Sequence, residues 1–273
     1  FKKACTMAIL AVVIIFGSLL FGQILGGYYI YSLLFSDNLS EINISEQQPL
    51  PNPEKIMILR LEPITFNTLQ IGIYSDGKEA QKVVNDLVQM GIRPYATAKA
   101  PYKIWVGCFG EKRTGTPLEN QLREQGYEVF LGQGLINDRA LKFKEKDTFI
   151  KDSFAPLLRE YNLLLNNSLK MFKSPQVAEY NWETWGDMIN KMQMDIKTII
   201  LLTDQVMSKE ESMPFNQGLE AIKDKILVFN ESLSYIIEVK NDKAVLNSQS
   251  RLLEFIGSYH NLIVVTNNIL GTQ

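Results

Sequence analysis

The sequence predicts an α+β chain in three parts: a single N-terminal transmembrane helix, a small β-α-β-β-α-β domain and a C-terminal antiparallel helical bundle. Three observations carry this expectation. Residues 4–35 form a nearly unbroken apolar run. The pattern apolar-x-apolar-Gly-x-aromatic occurs twice, in LQIGIYS from Leu69 and in IWVGCFG from Ile104, 35 residues apart. From Asp147 onward, apolar residues recur at helical spacing.

The run at 4–35 exceeds the roughly 20 apolar residues that a membrane-spanning helix needs. It is also longer than the apolar region of about 7–15 residues in a secretory signal peptide. Lys2 and Lys3 precede it, whereas Asp37, Glu41 and Glu46 follow. The positive-inside rule then places the N-terminus in the cytoplasm and everything after Ser36 outside, with Tyr28, Tyr29 and Tyr31 near the outer interface. Residues 36–55 read as a polar linker ending in Pro49, Pro51 and Pro53.

The repeat is expected to fold over residues 56–136. Its register holds past the motif: Gly72 matches Gly107, Tyr74 matches Phe109, Leu87 matches Leu122 and Gly91 matches Gly126. In the first copy Leu69, Ile71 and Ile73 alternate with Gln70, Gly72 and Tyr74, as in a half-buried strand. Ser75 or Asp76 offers an N-cap, Val83, Val84, Leu87 and Val88 follow at helical spacing, and Gly91 stops the helix. Tyr95–Thr97 make a second strand. The second copy repeats this with Ile104, Val106 and Cys108, a cap at Thr114 or Thr116, Pro117 in the first turn, Leu118 and Leu122 inside, Gly126 as stop and a last strand over Tyr127–Leu131.

With both helices on one side, the other sheet face should carry Gln70, Tyr74, Lys103, Trp105 and Phe109. Aromatic rings on an open face can stack on flat ligands while Gln and Lys hydrogen-bond polar groups. Unless the C-terminal half or the stretch IMILRL (56–61) covers that face, it is a recognition platform.

Residues 147–273 predict four helices. Their stripes run through Leu157–Phe172, Met188–Thr203, Leu219–Ile237 and Leu252–Ile263, with breaks near Pro175, Pro214 and Asp242. Trp182 and Trp185 should join the first two helices.

Composition narrows the function. Formal net charge is −2 in 273 residues, and residues 64–136 carry eight Lys/Arg against seven Asp/Glu, so no phosphate-binding footprint is expected and nucleic acid is not a predicted partner. Two cysteines, Cys5 and Cys108, and a single histidine, His260, give no metal spacing and no nucleophile–base set. Glu179, Glu183 and Asp187 read as a solvated helix face. No catalytic residue, metal or cofactor is predicted, and the chain is not expected to be an enzyme.

The ordered set LQIGIYSDGKEAQKVVNDLVQMGIRPYA and PYKIWVGCFGEKRTGTPLENQLREQGYEVFLGQ resembles the sporulation-related repeat, or SPOR, domain over about Ile64–Gln133. That family reads V-Q-x-G-S-F, a helix ending at Gly, Y-R-V-x-V-G-P-F, and a second helix ending at G-Y. The resemblance implies a binding module for peptidoglycan glycan strands freed of stem peptides. Such a module acts in septum or cell-wall remodelling during division or sporulation. By resemblance, Gln70, Tyr102 and Lys103 would contact glycan; alternation adds Trp105, Tyr74 and Phe109. Strand parity puts Tyr102 on the helix side unless the strand bulges. Three positions depart from the family: its Ser is Ile73, its Arg is Lys103 and its Pro is Cys108. The expected setting is the bacterial cytoplasmic membrane, single-pass, with the domains outside. The alternative is an envelope scaffold whose sheet binds a protein, and the bundle is a candidate dock for an envelope or divisome partner.

Overall fold

The computed structural model describes residues 54–97, 99–110, 116–136, 140–172 and 182–271. The anchor expected over 1–35, all but the last two residues of the linker, and Glu179 lie outside them. Among the described residues no helix is long and apolar enough to cross a membrane.

The chain is mixed α+β, and the described residues form six α-helices and two antiparallel sheets. Strands β2 (Ile64–Tyr74), β3 (Tyr95–Ala96), β4 (Tyr102–Phe109) and β5 (Phe130–Ile136) form one sheet in the order β3-β4-β2-β5. Helices α1 (Gly77–Gln89) and α2 (Thr116–Glu124) connect them, so the element order β-α-β-β-α-β is as read from the repeat. The Asp76 side chain accepts from Lys78 N at 2.7 Å and caps α1. Gly91 (φ 77°) and Gly126 (φ 88°) both adopt left-handed conformations. In each copy the following N–H returns to the last buried leucine: Ile92 to Leu87 O at 2.9 Å, and Tyr127 to Leu122 O at 3.0 Å. That closure satisfies helix-end carbonyls, and a side chain at the left-handed position would strain it.

The glycines inside the two motifs answer to a different demand. β2 and β4 are the equivalent central strands of the two copies and run antiparallel, so equivalent residues meet: Gln70 pairs with Trp105. On either side of this pair each strand carries one extra residue. β4 bulges between Val106 and Phe109, and β2 bulges between Gln70 and Gly72. Gly107 takes φ 70°, and Thr68 Oγ1 donates to its carbonyl at 2.7 Å. A Cβ on Gly72 would lie 2.5 Å from the Tyr74 hydroxyl oxygen, so the glycine makes room for the aromatic two residues on.

These bulges shift the alternation and correct the expected faces. Leu69, Ile71, Ile104, Val106 and Phe109 join Leu87 and Leu122 in a core beneath α1 and α2, with Tyr74 and Tyr102 packed against it. Phe109 and Tyr74 are therefore on the helix side, not on the opposite face. Cys108 moves the other way, into the second core. β5 also begins later than expected, at Phe130, and runs to Ile136 along a β2 that starts at Ile64.

The second core is built by α3 (Ala155–Met171), α4 (Trp182–Met207), α5 (Asn216–Val239) and α6 (Asp242–Gly271), which contact one another in a closed cycle. A short π-helix (Ile150–Phe154) leads into α3 and a 3-10 turn (Glu210–Phe215) carries the Pro214 break. Lys240 at φ 52° ends α5. Leu157, Leu158, Tyr161, Leu164, Leu165, Leu169 and Phe172 of the first stripe and Leu252, Leu253, Ile256, Tyr259 and Ile263 of the last are buried, and Trp185 packs against Phe172 with ring centroids 5.8 Å apart.

The two predicted units pack as one. Residues 54–273 form a single compact unit. IMILRL adds no strand to the four-stranded sheet: its first four residues are β1 (Ile56–Leu59), paired antiparallel with β6 (Leu141–Lys144), which follows the repeat in the chain. Leu59, Leu61, Ile64, Phe66 and Cys108 share the bundle's core.

Candidate functional site

The sheet face away from α1 and α2 is divided. One row crosses all four strands: Tyr95 pairs with Trp105, Trp105 with Gln70, and Gln70 with Phe130. Directly paired residues share a face, so this row is the middle of the outer surface. Trp105 Nε1 donates to Gln70 Oε1 at 3.2 Å. The Trp105 ring stacks on Tyr95 (centroids 5.8 Å, 24° between planes) and meets Phe66 edge-on at 6.2 Å.

On one side of the row the face is covered. Phe66, Ile64 and Cys108 are buried in the bundle core, and burial pushes the Cys108 thiol well above its usual range. β3 spans only two residues and leaves the rest of β4's edge bare, and α6 packs along β4. Gln249 and Leu246 of α6 approach Gly107 so closely that a Cβ there would be 3.1 Å from Gln249 Oε1. Gly257 leaves space for Tyr95, whose hydroxyl group burial pushes upward in pKa.

Polar contacts pin α6 to the repeat. Arg93 N donates to Asn247 Oδ1 at 3.0 Å, Ser250 Oγ donates to Arg93 O, and Lys243 Nζ donates to Met90 O at 3.3 Å. Glu254, its side chain 18% exposed, gathers Lys225 at 2.9 Å, Arg251 at 2.8 Å and Arg93 at 3.8 Å. Burial works against its ionisation, but the hydrogen bonds from Lys225 and Arg251 and their charges outweigh it and hold the carboxyl below its ordinary value.

On the other side of the row the face stays accessible. Ile73 pairs with Lys103; Ile73 is 55% exposed and Phe130 50% exposed, beside half-buried Gln70, Lys103 and Trp105. Of the six residues expected at the site, Gln70 and Lys103 lie here, and Trp105 marks the boundary, its ring packed against the bundle core. Tyr74, Tyr102 and Phe109 do not: Tyr102 packs near Gly77 on the helix side, as strand parity required. The residue missed was Phe130. Its signal was alternation on the last strand, hidden because that strand was read as starting at Tyr127.

Among the described residues no group of His, Cys, Asp and Glu is placed to hold a metal ion. His260, Glu183 and Asp187 are exposed on helices. No family model, curated protein or solved structure matches the chain.

Proposed function

We propose that this chain is a membrane-anchored, extracytoplasmic binding protein for peptidoglycan glycan strands, acting where the wall is remodelled during division or sporulation. The observation that carries the reading is the uncovered sheet end. Phe130 offers an exposed ring, Gln70 keeps its amide nitrogen for donation after accepting from Trp105, and Lys103 stands one row beyond. A sugar ring stacks its C–H face on an aromatic and hydrogen-bonds through its hydroxyls, and a saccharide needs little charge. Anchor, orientation and outside location rest on the apolar run and the flanking Lys2 and Lys3.

Retention of the full chain on purified sacculi, with and without amidase pretreatment, tests this. Binding should rise after stem peptides are removed. Phe130→Ala should weaken it roughly 5- to 150-fold, the value of about 1–3 kcal/mol for a lost stack. Equal retention on both preparations would overturn the reading.

A second reading is favoured by the cover over the other half of the face: an envelope scaffold whose exposed Ile73 and Phe130 seat a protein. Retention that is insensitive to added glycan fragments and lost on protease treatment of the sacculi would select it.

A further inference from the structure

The two copies of the repeat differ at one place where their backbones agree. In the second copy, Arg123 reaches from α2 across the helix–strand turn. Its Nη2 donates to Glu119 Oε1 at 2.8 Å and to Val129 O at 2.6 Å. The ion pair ties the helix to the turn. The equivalent residues of the first copy, 35 positions earlier, are Val84 for Glu119, Val88 for Arg123 and Pro94 for Val129. Pro94 keeps the carbonyl acceptor, but neither valine can reach it with a donor, and a cleft of about 510 Å³ lies there. That size lies within the roughly 300–1,000 Å³ typical of small-molecule sites.

Val84, Val88 and Pro94 give the cleft an apolar wall. Polar groups rim it: Gln81 and Asn85 on α1, Arg93 after the turn, and Asn247 on α6. Gln81 Nε2 donates to Asn85 Oδ1 at 2.9 Å, which leaves the Asn85 amide nitrogen to donate and Gln81 Oε1 to accept. Asn247 spends its oxygen on Arg93 N–H and keeps its own amide nitrogen. Arg93 is the one charged residue lining the cleft, and its counterpart in the second copy is Glu128. Its guanidinium is half exposed and touches Glu254 only at 3.8 Å, since that carboxylate is engaged more closely by Lys225 and Arg251. Burial and the neighbouring Arg251 both disfavour its charge, so an added anion would be welcome.

We infer that this cleft binds a small acidic saccharide: Arg93 takes the carboxylate, the side-chain amides of Gln81, Asn85 and Asn247 pair with hydroxyl or acetamido groups, and Val84, Val88 and Pro94 support the ring. A guanidinium fork matches a carboxylate in two parallel hydrogen bonds, and carboxamides match groups that both donate and accept. The cleft lies on the α1 side, apart from the Phe130 platform, and does not rest on the platform's function.

The test is calorimetric titration of the full chain in detergent micelles with N-acetylmuramic acid and with N-acetylglucosamine, which lacks the lactyl carboxylate. The acid should bind at least about 10-fold more tightly, a difference of about 1.4 kcal/mol. Arg93→Gln should erase the preference. Val84→Glu with Val88→Arg should rebuild the Glu119–Arg123 pair in the first copy and remove the preference for the acid; Val88→Arg alone, at a half-exposed position, is the second variant if the pair does not fold. Equal affinity for the two sugars, or an unchanged preference for the acid in the folded double variant, would overturn the assignment.

Discussion

The two copies of the repeat share a scaffold and diverge where the rest of the chain meets them. Both end their helix with a left-handed glycine, and both central strands carry a bulge next to the motif glycine. Yet Gly107 takes a positive φ and faces α6, whereas Gly72 makes room for its own strand's Tyr74. At the pseudo-symmetric centre one copy supplies Gln70 and the other Trp105. Repetition in sequence thus specified the backbone twice. It did not specify the environment, because α6 comes to only one of the two central strands' outer edges.

The largest expected effect probes that central pair. Trp105→Ala removes a ring lodged between Tyr95 and Phe66 and should cost about 2–3 kcal/mol in urea unfolding, less than full burial would give. Gln70→Ala removes only a half-buried amide and should cost under about 1 kcal/mol. Comparable losses would mean that the two copies contribute equally there.

The motif glycines come next. Gly107→Ala should cost about 2 kcal/mol, from left-handed strain and crowding against Gln249. Gly72→Ala should cost about 1 kcal/mol, because the Tyr74 ring is half-buried and can turn aside. A reversal of that order would break the distinction drawn between the two bulges.

A smaller effect concerns the junction between the first copy and α6. The Glu254 carboxyl is held below its ordinary value, so its contribution is present above the unfolded-state pKa of about 4.3 and is lost as pH falls through the lower folded value. Glu254→Gln should cost about 1 kcal/mol at neutral pH and flatten the acid limb of stability against pH. An unchanged acid limb would exclude Glu254 as its source. The smallest effect is expected at Phe130: Phe130→Ala should change stability by less than about 0.5 kcal/mol, which would separate binding loss from unfolding.

What could be read from the chain follows from which interactions are local. Helix caps, left-handed stops and two-residue alternation depend on near neighbours, so Asp76, Gly91, Gly126 and the core leucines Leu87 and Leu122 were legible. The bulges were not. Gly72 and Gly107 look alike in sequence, and only pairing shows that each strand has one residue too many, which turned Tyr74, Cys108 and Phe109 to unexpected faces. The start of α6 was hidden for another reason. Ser248, Gln249 and Ser250 are fully or almost fully buried, but they are polar: Ser248 meets Ser232 of α5, Gln249 meets β4 at Gly107, and Ser250 meets the turn at Arg93. The stripe therefore became visible only at Leu252. The pairing of β1 with β6 spans the whole repeat, and no local pattern announces it.

That ribbon also sets how the molecule would carry tension. β1 enters and β6 leaves at the same end, Ile56 beside Lys144, so a pull on the chain from Glu54 against the bundle is borne first by the ribbon, while the four-stranded sheet, which the chain reaches only through the ribbon's other end, stays docked on α6. Antiparallel strands loaded this way peel one pair at a time rather than shearing together. The first pair is clasped by Lys55 with Glu145 at 2.6 Å and by Glu54 with Lys144 at 3.0 Å. Those pairs are solvent-exposed and screened by salt. The force needed to begin unzipping should therefore fall as ionic strength rises, while the sheet stays slack until the last pair, Leu59 with Leu141, has parted.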